Sequence, residues 1–171
     1  MTELADQSIA IFNNAKFEIK KFPHRIAFNC IPQIGPFLAN GYTEEEMKMV
    51  NETRKMFHDD TIRVAATTVR VPVFACHSEA VNVEFENPIS PDQAREILSR
   101  SPGVVVMDDP EQSFYPLPTE AIDTDQTYVG RIRNDISVDN GLTLWCVADN
   151  LRKGAATNAV QIAEVLIEKY I

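Results

Sequence analysis

The spacing of hydrophobic residues along the chain predicts four helices. Apolar positions recur with helical period over residues 4–13, 43–57, 90–99 and 153–170. The second helix has the clearest start, because Thr43 and Glu46 have the spacing of a capping box. Acidic side chains also fill its first turn, where the helix dipole favours negative charge. Pro91 in the first turn marks the start of the third helix.

Hydrophobic runs and alternation with a period of two predict a sheet. The predicted strands cover residues 25–31, 62–69, 77–86, 104–107, 126–133 and 142–148. The intervening segments 16–23 and 109–125 are predicted to be an extended basic linker and a loop, and 34–38 a turn or an irregular buried segment. These elements predict one α+β domain over residues 1–171, with a mixed, largely antiparallel sheet and helices on one face. Neither a GxGxxG motif nor a P-loop is present, so no nucleotide-binding fold of its own is expected.

Composition narrows the functional classes. The net charge of -9 argues against a general affinity for nucleic acid or anionic membranes, which require clustered Lys and Arg. No apolar run approaches the roughly 20 residues of a membrane helix, and Met1 is followed by no signal-peptide pattern, so a cytoplasmic protein is expected. Cys30, Cys76 and Cys146 are odd in number and lack CxxC spacing. We therefore expect buried core thiols, with neither a disulfide framework nor a metal site.

The segment from Arg70 to His77 is the first candidate for chemistry. Arginine suits bidentate binding of a carboxylate, and histidine suits proton transfer near neutral pH. Seven residues apart, the two side chains would face opposite sides of an unbroken strand, but a break at Pro72 would let both face one site. The alternative is a solvated edge arginine and a structural histidine. A Cys76–His77 catalytic pair is rejected, because adjacent strand residues diverge.

Two further groups are weaker candidates. Glu45 and Lys48 share one helix face, as a binding pair or as an ordinary surface ion pair. Asp149 and Asn150 are good N-cap types at the start of the last helix. The small residues that follow at 154–156 would let a flat ligand or another helix approach, although packing explains them equally well.

Five segments together resemble aspartate-semialdehyde dehydrogenase. They occur in the order found in that family, and the resemblance covers nearly the whole chain. They are IPQIGPFLANGYTEEEMKMVNETRK (31–55), RVAATTVRVPV (63–73), HSEAVNVEFE (77–86), GRIR (130–133) and ADNLRKGAA (148–156).

The resemblance implies a reaction and a partial enzyme. The family reduces β-aspartyl phosphate to aspartate semialdehyde with NADPH, on the route to lysine, threonine, methionine and diaminopimelate. Its subunits join an N-terminal Rossmann domain to a C-terminal domain like that of glyceraldehyde-3-phosphate dehydrogenase, and the cysteine nucleophile lies before the region that this chain matches. The chain is thus expected to be the C-terminal substrate-binding and dimerisation domain only, a homodimer through its sheet. Lacking the Rossmann domain and the nucleophile, it is expected to be inactive alone.

The resemblance also assigns roles to five residues. His77 matches the acid/base histidine, and Arg70 the arginine that holds the substrate α-carboxylate. Glu45 matches the acid near the substrate amino group, Lys48 the lysine near the phosphate, and Asn150 the position that reaches the nicotinamide carboxamide. Two alternatives remain: a stand-alone, non-catalytic assembly or regulatory domain, and a related acyl-phosphate reductase such as the N-acetyl-glutamyl-phosphate enzyme. The Glu45/Lys48 pair and the 70–77 segment favour the aspartyl substrate.

Overall fold

The computed structural model describes residues 2–171, which form two compact units. The first unit extends to Phe74 and the second covers Ala75–Ile171. Each unit is described by itself. None of the helices among the described residues is long and apolar enough to cross a membrane.

The first unit begins with helix α1, Thr2–Phe12, as predicted. Its core is Leu4, Ile26, Ala27 and Ile31, and the fully buried Gln7 accepts hydrogen bonds at Oε1 from the amides of Ile26 and Ala27 at 3.0 and 3.2 Å. The predicted strand 25–31 is therefore wrong. Those amides bind a side chain instead of a neighbouring strand, and residues 27–28 form a turn.

Helix α2, Glu44–Phe57, starts as the sequence predicts. Thr43 donates its amide to Glu46 Oε2 at 2.8 Å, and Glu46 returns its amide to Thr43 Oγ1 at 3.3 Å. The backbone amides of Thr43 and Thr68 that Glu46 accepts hold the pKa of its carboxyl below the usual range. The helix ends at His58, whose φ of 53° is left-handed.

The predicted strand over 62–69 is not present as a strand. No ladder is assigned to these residues, although even-numbered positions from 62 to 68 are half-buried and odd-numbered ones exposed. The alternation therefore correctly indicates an extended backbone. An extended segment becomes a β-strand only when it forms hydrogen bonds with a neighbouring strand. Residues 34–38 are irregular as predicted, yet Phe37 is exposed rather than buried.

The second unit contains a four-stranded sheet. Its strands are β1 (His77–Glu84), β2 (Val104–Val106), β3 (Thr127–Asn134) and β4 (Gly141–Ala148). They lie in the order β1-β4-β3-β2. The β1–β4 and β4–β3 pairs are antiparallel and the short β3–β2 pair is parallel. The predicted mixed, largely antiparallel α+β fold is confirmed.

Helical segments cover parts of both sheet faces, and not of one face as predicted. Helix α3, Pro91–Ser99, contributes Ala94 to a cluster with Val129 and Leu142. The four-residue helix α4, Pro118–Ala121, packs with Val147 on the other face. The loop predicted over 109–125 therefore contains α4, and also a 3-10 turn at Pro110–Gln112. Proline supplied the signal for these short helices, since its fixed φ suits a first helical position.

The last helix follows a π-helical turn. Residues Arg152–Ala156 form this turn, and helix α5 spans Thr157–Tyr170. The helix lies where it was predicted, but none of its side chains is buried.

A bulge interrupts β3 between Gly130 and Arg133. Arg131 has a left-handed φ of 55°. The buried carboxylate of Asp108 accepts the amides of Arg131 and Ile132 at 2.6 and 3.2 Å. Gly130 is required beside the bulge, because a Cβ there would lie 2.0 Å from the Met107 carbonyl oxygen.

Candidate functional site

A cavity of about 220 Å³ lies at one end of the sheet in the second unit. His77 of β1 and Thr127 of β3 both pair with Ala148 of β4. Because directly opposed residues share a face, these side chains form one row across the sheet. The wall is completed by residues of the neighbouring row and of the β4–α5 connection. The lining residues are His77, Glu79, Thr127, Cys146, Val147, Ala148, Asp149, Asn150, Lys153 and Gly154.

His77 is the first residue of β1 and its side chain is exposed. Glu79 follows on the same face two residues later, as the strand period requires. Cys146 lies opposite Glu79 in the ladder, half-buried. Burial, with the charge of Glu79 adding to it, raises the pKa of the Cys146 thiol to about 11. The cavity therefore offers an accessible imidazole and carboxylate, but no thiolate near neutral pH.

Asn150 also lines the cavity, from the connection between β4 and α5. Its Oδ1 accepts the backbone amide of Cys76 at 2.9 Å. Asp149 beside it is buried and accepts the amides of Leu151 and Arg152 at 2.8 and 3.0 Å, which is the N-cap arrangement that the sequence suggested for this pair. Backbone amides of Asp123 and Arg152 hold the pKa of Asp149 below its usual range.

Lys153 is the positively charged residue among those that line the cavity. Its ammonium donates to Gln161 Oε1 at 2.7 Å. The small residues Gly154, Ala155 and Ala156 are exposed, so packing within the chain does not account for them. A flat group could therefore approach the backbone of this turn.

Arg70 belongs to the first unit. It forms an isolated antiparallel bridge with Ile31, with both N···O distances 2.9 Å, and its guanidinium lies 5.4 Å from the ring centroid of Phe22. The break predicted at Pro72 is present. Val73 donates its amide to the Val71 carbonyl at 2.8 Å, a three-residue turn centred on the proline.

Glu45 and Lys48 lie on α2, also in the first unit. The Lys48 ammonium is 3.4 Å from both carboxylate oxygens of Glu45. The side chain of Lys48 is 57% exposed and that of Glu45 is 42% exposed. Such a pair contributes about 0.2–0.5 kcal/mol to helix stability, so little opposes its opening towards a ligand.

The structure thus brings His77 together with Asn150, and Glu45 together with Lys48. Sequence reasoning missed Glu79 and Thr127. Glu79 could have been found, since it lies two positions from His77 on a predicted strand. Thr127 could not, because its place depends on the pairing of β3 with β4, which one sequence does not reveal.

The cysteine prediction was right in part. Cys76 is buried and Cys146 half-buried, but Cys30 is exposed, so the expectation of a core thiol there is wrong. Cys30 lies in the irregular segment that was predicted as a buried strand, which explains the error. Burial raises the pKa of Cys76, and the nearby charges of Asp149 and Asp123 add to the effect. Among residues 2–171, no group of three or more His, Cys, Asp or Glu side chains could hold a metal ion.

A family model, curated proteins and solved structures all relate this chain to the same group of proteins. The family model described as "Semialdehyde dehydrogenase, dimerisation domain" matches residues 1–153. The aspartate-semialdehyde dehydrogenase of Aquifex aeolicus is 55% identical over 150 residues, which are 88% of this chain and 44% of that protein. The corresponding protein of Legionella pneumophila is 50% identical over 100% of this chain and 50% of its own length. The chain therefore spans about half the length of the curated relatives it matches.

Solved structures share the fold closely. The crystal structure of aspartate semialdehyde dehydrogenase II of Vibrio cholerae complexed with ASA has a TM-score of 0.94 and 50% identity, over 99% of this chain and 50% of that one.

Proposed function

Because the chain belongs to the semialdehyde dehydrogenase family, as its dimerisation domain, we propose that it is the C-terminal substrate-binding part of an NADPH-dependent aspartate-semialdehyde dehydrogenase. The reaction is the reductive dephosphorylation of β-aspartyl phosphate, in aspartate-family amino-acid biosynthesis in the cytoplasm. The observation that carries this proposal is the cavity that His77 and Asn150 line together, at the end of a sheet whose sequence matches dehydrogenases throughout.

The proposed substrate contacts use the exposed charges of the first unit. Arg70 holds the α-carboxylate: the Phe22 ring lies on one side of its guanidinium, and the N–H groups suit a bidentate contact. Glu45 binds the substrate ammonium, and Lys48 the phosphate. Their mutual contact, at 3.4 Å, is weak enough for ligand groups to replace it.

The proposed chemistry at His77 is proton transfer. Its imidazole accepts the proton of the attacking thiol, which the other half of the enzyme supplies, and returns a proton as the reaction proceeds. The location supports this role, because His77 is exposed to a cavity yet anchored by its backbone in the β1–β4 ladder. Neither Cys76 nor Cys146 suits the nucleophile, since the pKa of each thiol is raised.

In this chain, the cofactor would contact only the connection between β4 and α5. NADPH supplies the hydride when bound. Asn150 can donate from Nδ2 to the nicotinamide carboxamide, and the exposed small residues at 154–156 leave room for a flat ring. A cavity of about 220 Å³ is below the roughly 300–1,000 Å³ that encloses a whole drug-sized ligand, so the rest of the dinucleotide must lie elsewhere.

The catalytic proposal is tested in a two-domain dehydrogenase that contains this sequence. His77→Asn should lower kcat by about 10²–10⁴-fold, the usual contribution of a general acid/base. His58→Asn is the matched control, since it changes another histidine, at the left-handed end of α2, to a residue that tolerates this conformation. Wild-type kcat in the His77→Asn variant would refute the assignment. The chain alone should form no NADPH from aspartate semialdehyde, NADP and phosphate, and measurable turnover would contradict that expectation.

We also propose that the chain forms a homodimer through its sheet. On one face of β1, Ala80 and Asn82 are exposed, and both residues are small enough for a flat contact. Ala80→Arg should convert the dimer into a monomer in sedimentation equilibrium. Ile97→Arg, at an exposed position of α3 on the opposite face, is the control and should remain dimeric. A wild-type chain that is monomeric at micromolar concentration would exclude this interface.

A further inference from the structure

The residue before His77 has an unusual backbone conformation. Cys76 has a φ of 69°, in the left-handed region that non-glycine residues rarely adopt. This conformation is unfavourable for a residue with a side chain, so neighbouring groups must hold it. Cys76 is the last residue before β1, and therefore its dihedral angles set the direction in which the strand, and His77 first, departs.

Two polar contacts hold Cys76 in place. Its amide donates to Asn150 Oδ1 at 2.9 Å, and its thiol donates to the Pro118 carbonyl at 3.4 Å. The residue is 7% exposed and packs with Ala121 and Val147. The amide contact joins residues 74 positions apart in sequence. Asn150 itself lines the cavity, and Cys76 directly precedes the lining residue His77.

We propose that Asn150 is a positioning residue for His77, and that it acts through the backbone amide of Cys76. Once Asn150 Oδ1 accepts that amide, the orientation of the carboxamide is fixed, because Nδ2 in its place would oppose two donors. The Cys76 turn is thereby locked, and the Cα–Cβ bond of His77 is held towards the cavity. The ladder partner of His77 is Ala148, two residues before Asn150, so the contact lies directly beyond the end of the β1–β4 pair.

Asn150 therefore has two separable functions. Oδ1 belongs to the Cys76 contact, whereas Nδ2 has no hydrogen-bond partner recorded among residues 2–171 and remains available to a ligand. This inference rests on the proposed function only for the importance of His77. The contact itself, and its effect on the imidazole, can be measured without any turnover.

The test is NMR of the 171-residue chain. Asn150→Ala removes the acceptor, whereas Asn150→Asp keeps an acceptor oxygen and replaces the Nδ2 donor with a second carboxylate oxygen. Asn158→Ala, an exposed asparagine in α5, is the matched control. His24 and His58 lie in the first unit and serve as internal references for the imidazole signals. The His77 signals are assigned by their loss in His77→Gln.

Asn150→Ala should speed hydrogen exchange at the Cys76 amide about fivefold or more, as expected for loss of a hydrogen bond worth about 1 kcal/mol. It should also shift the imidazole signals of His77 but not those of His24 or His58. Asn150→Asp should keep the Cys76 amide within about twofold of wild type, since an ionised carboxylate accepts at least as well. The control should change neither signal.

The inference is overturned if Asn150→Ala leaves Cys76 exchange and the His77 signals unchanged, or if Asn150→Asp loses protection at Cys76 as fully as Asn150→Ala. Should Asn150→Ala not fold, Asn150→Asp is compared with wild type: Cys76 exchange within about twofold supports the inference, and exchange about fivefold faster or more overturns it. If His77→Asn retains full kcat in the two-domain enzyme, the proposed function fails while this NMR result stands, so the two failures are distinguishable.

Discussion

Asp108 is the residue whose replacement should affect the second unit most clearly. Its side chain is only 1% exposed and accepts a hydrogen bond from Arg95 Nε at 2.7 Å. It also accepts the amides of Arg131 and Ile132 at the β3 bulge. Asp108→Ala therefore leaves three donors without their acceptor, in a place where water is largely excluded.

The magnitude follows from these partners. Breaking a buried ion pair by removing one member costs about 3–5 kcal/mol. Arg95 is 33% exposed and keeps its contacts with Asp92 and the Ile132 carbonyl, so the lower end applies. We expect Asp108→Ala to lower the free energy of unfolding by about 3 kcal/mol, and Tm by roughly 6–12 °C for a chain of this size.

The assay is urea unfolding followed by tryptophan fluorescence. Trp145 is the single tryptophan and lies in β4, so the signal reports on the affected sheet. Asp92→Ala is the control, because Asp92 contacts the same arginine at 2.8 Å but is 94% exposed. It should cost less than about 0.5 kcal/mol, as surface ion pairs do. Equal midpoints for the two variants would refute the claim that burial of Asp108 makes its contacts strong.

Three further outcomes are expected. Gly130→Ala should destabilise the second unit by several kcal/mol, on the order of 3 or more, because its Cβ would overlap the Met107 carbonyl oxygen; folding as stable as wild type in the same urea assay would contradict this. At pH 8, iodoacetamide should label the exposed Cys30 first and Cys146 far more slowly. At a pKa of about 11, only about one in a thousand Cys146 thiols is ionised at that pH, and mass spectrometry of timed digests distinguishes the order of labelling. Thr43→Ala should cost about 1 kcal/mol through loss of the α2 cap, seen as faster amide exchange in the first turn of that helix, and unchanged protection there would count against the cap.

Local signals predicted the helices well, and the strands only where partners exist. The capping boxes at Thr43 and Ser90 are complete within four residues, so the sequence contains all that the helix start needs. Residues 62–69 have an equally clear alternation, but a strand also requires a neighbour at hydrogen-bond distance. The backbone amides of Ile26 and Ala27 donate to the side chain of Gln7, so they need no carbonyl acceptor from a neighbouring strand.

The candidate site depends on conformations that residue type does not announce. Positive φ is normally predicted from glycine, yet Cys76 and Arg131 adopt it at the start of β1 and at the bulge of β3. In both cases the amide of the strained residue is accepted by a side chain from elsewhere in the same unit, Asn150 for Cys76 and Asp108 for Arg131. The conformational cost of about 1–2 kcal/mol is comparable to a hydrogen bond to a polar or charged acceptor, so each turn should persist only with its acceptor. Identifying such turns from sequence therefore requires knowing the tertiary acceptor first, which explains why the turn at Cys76 was not predicted.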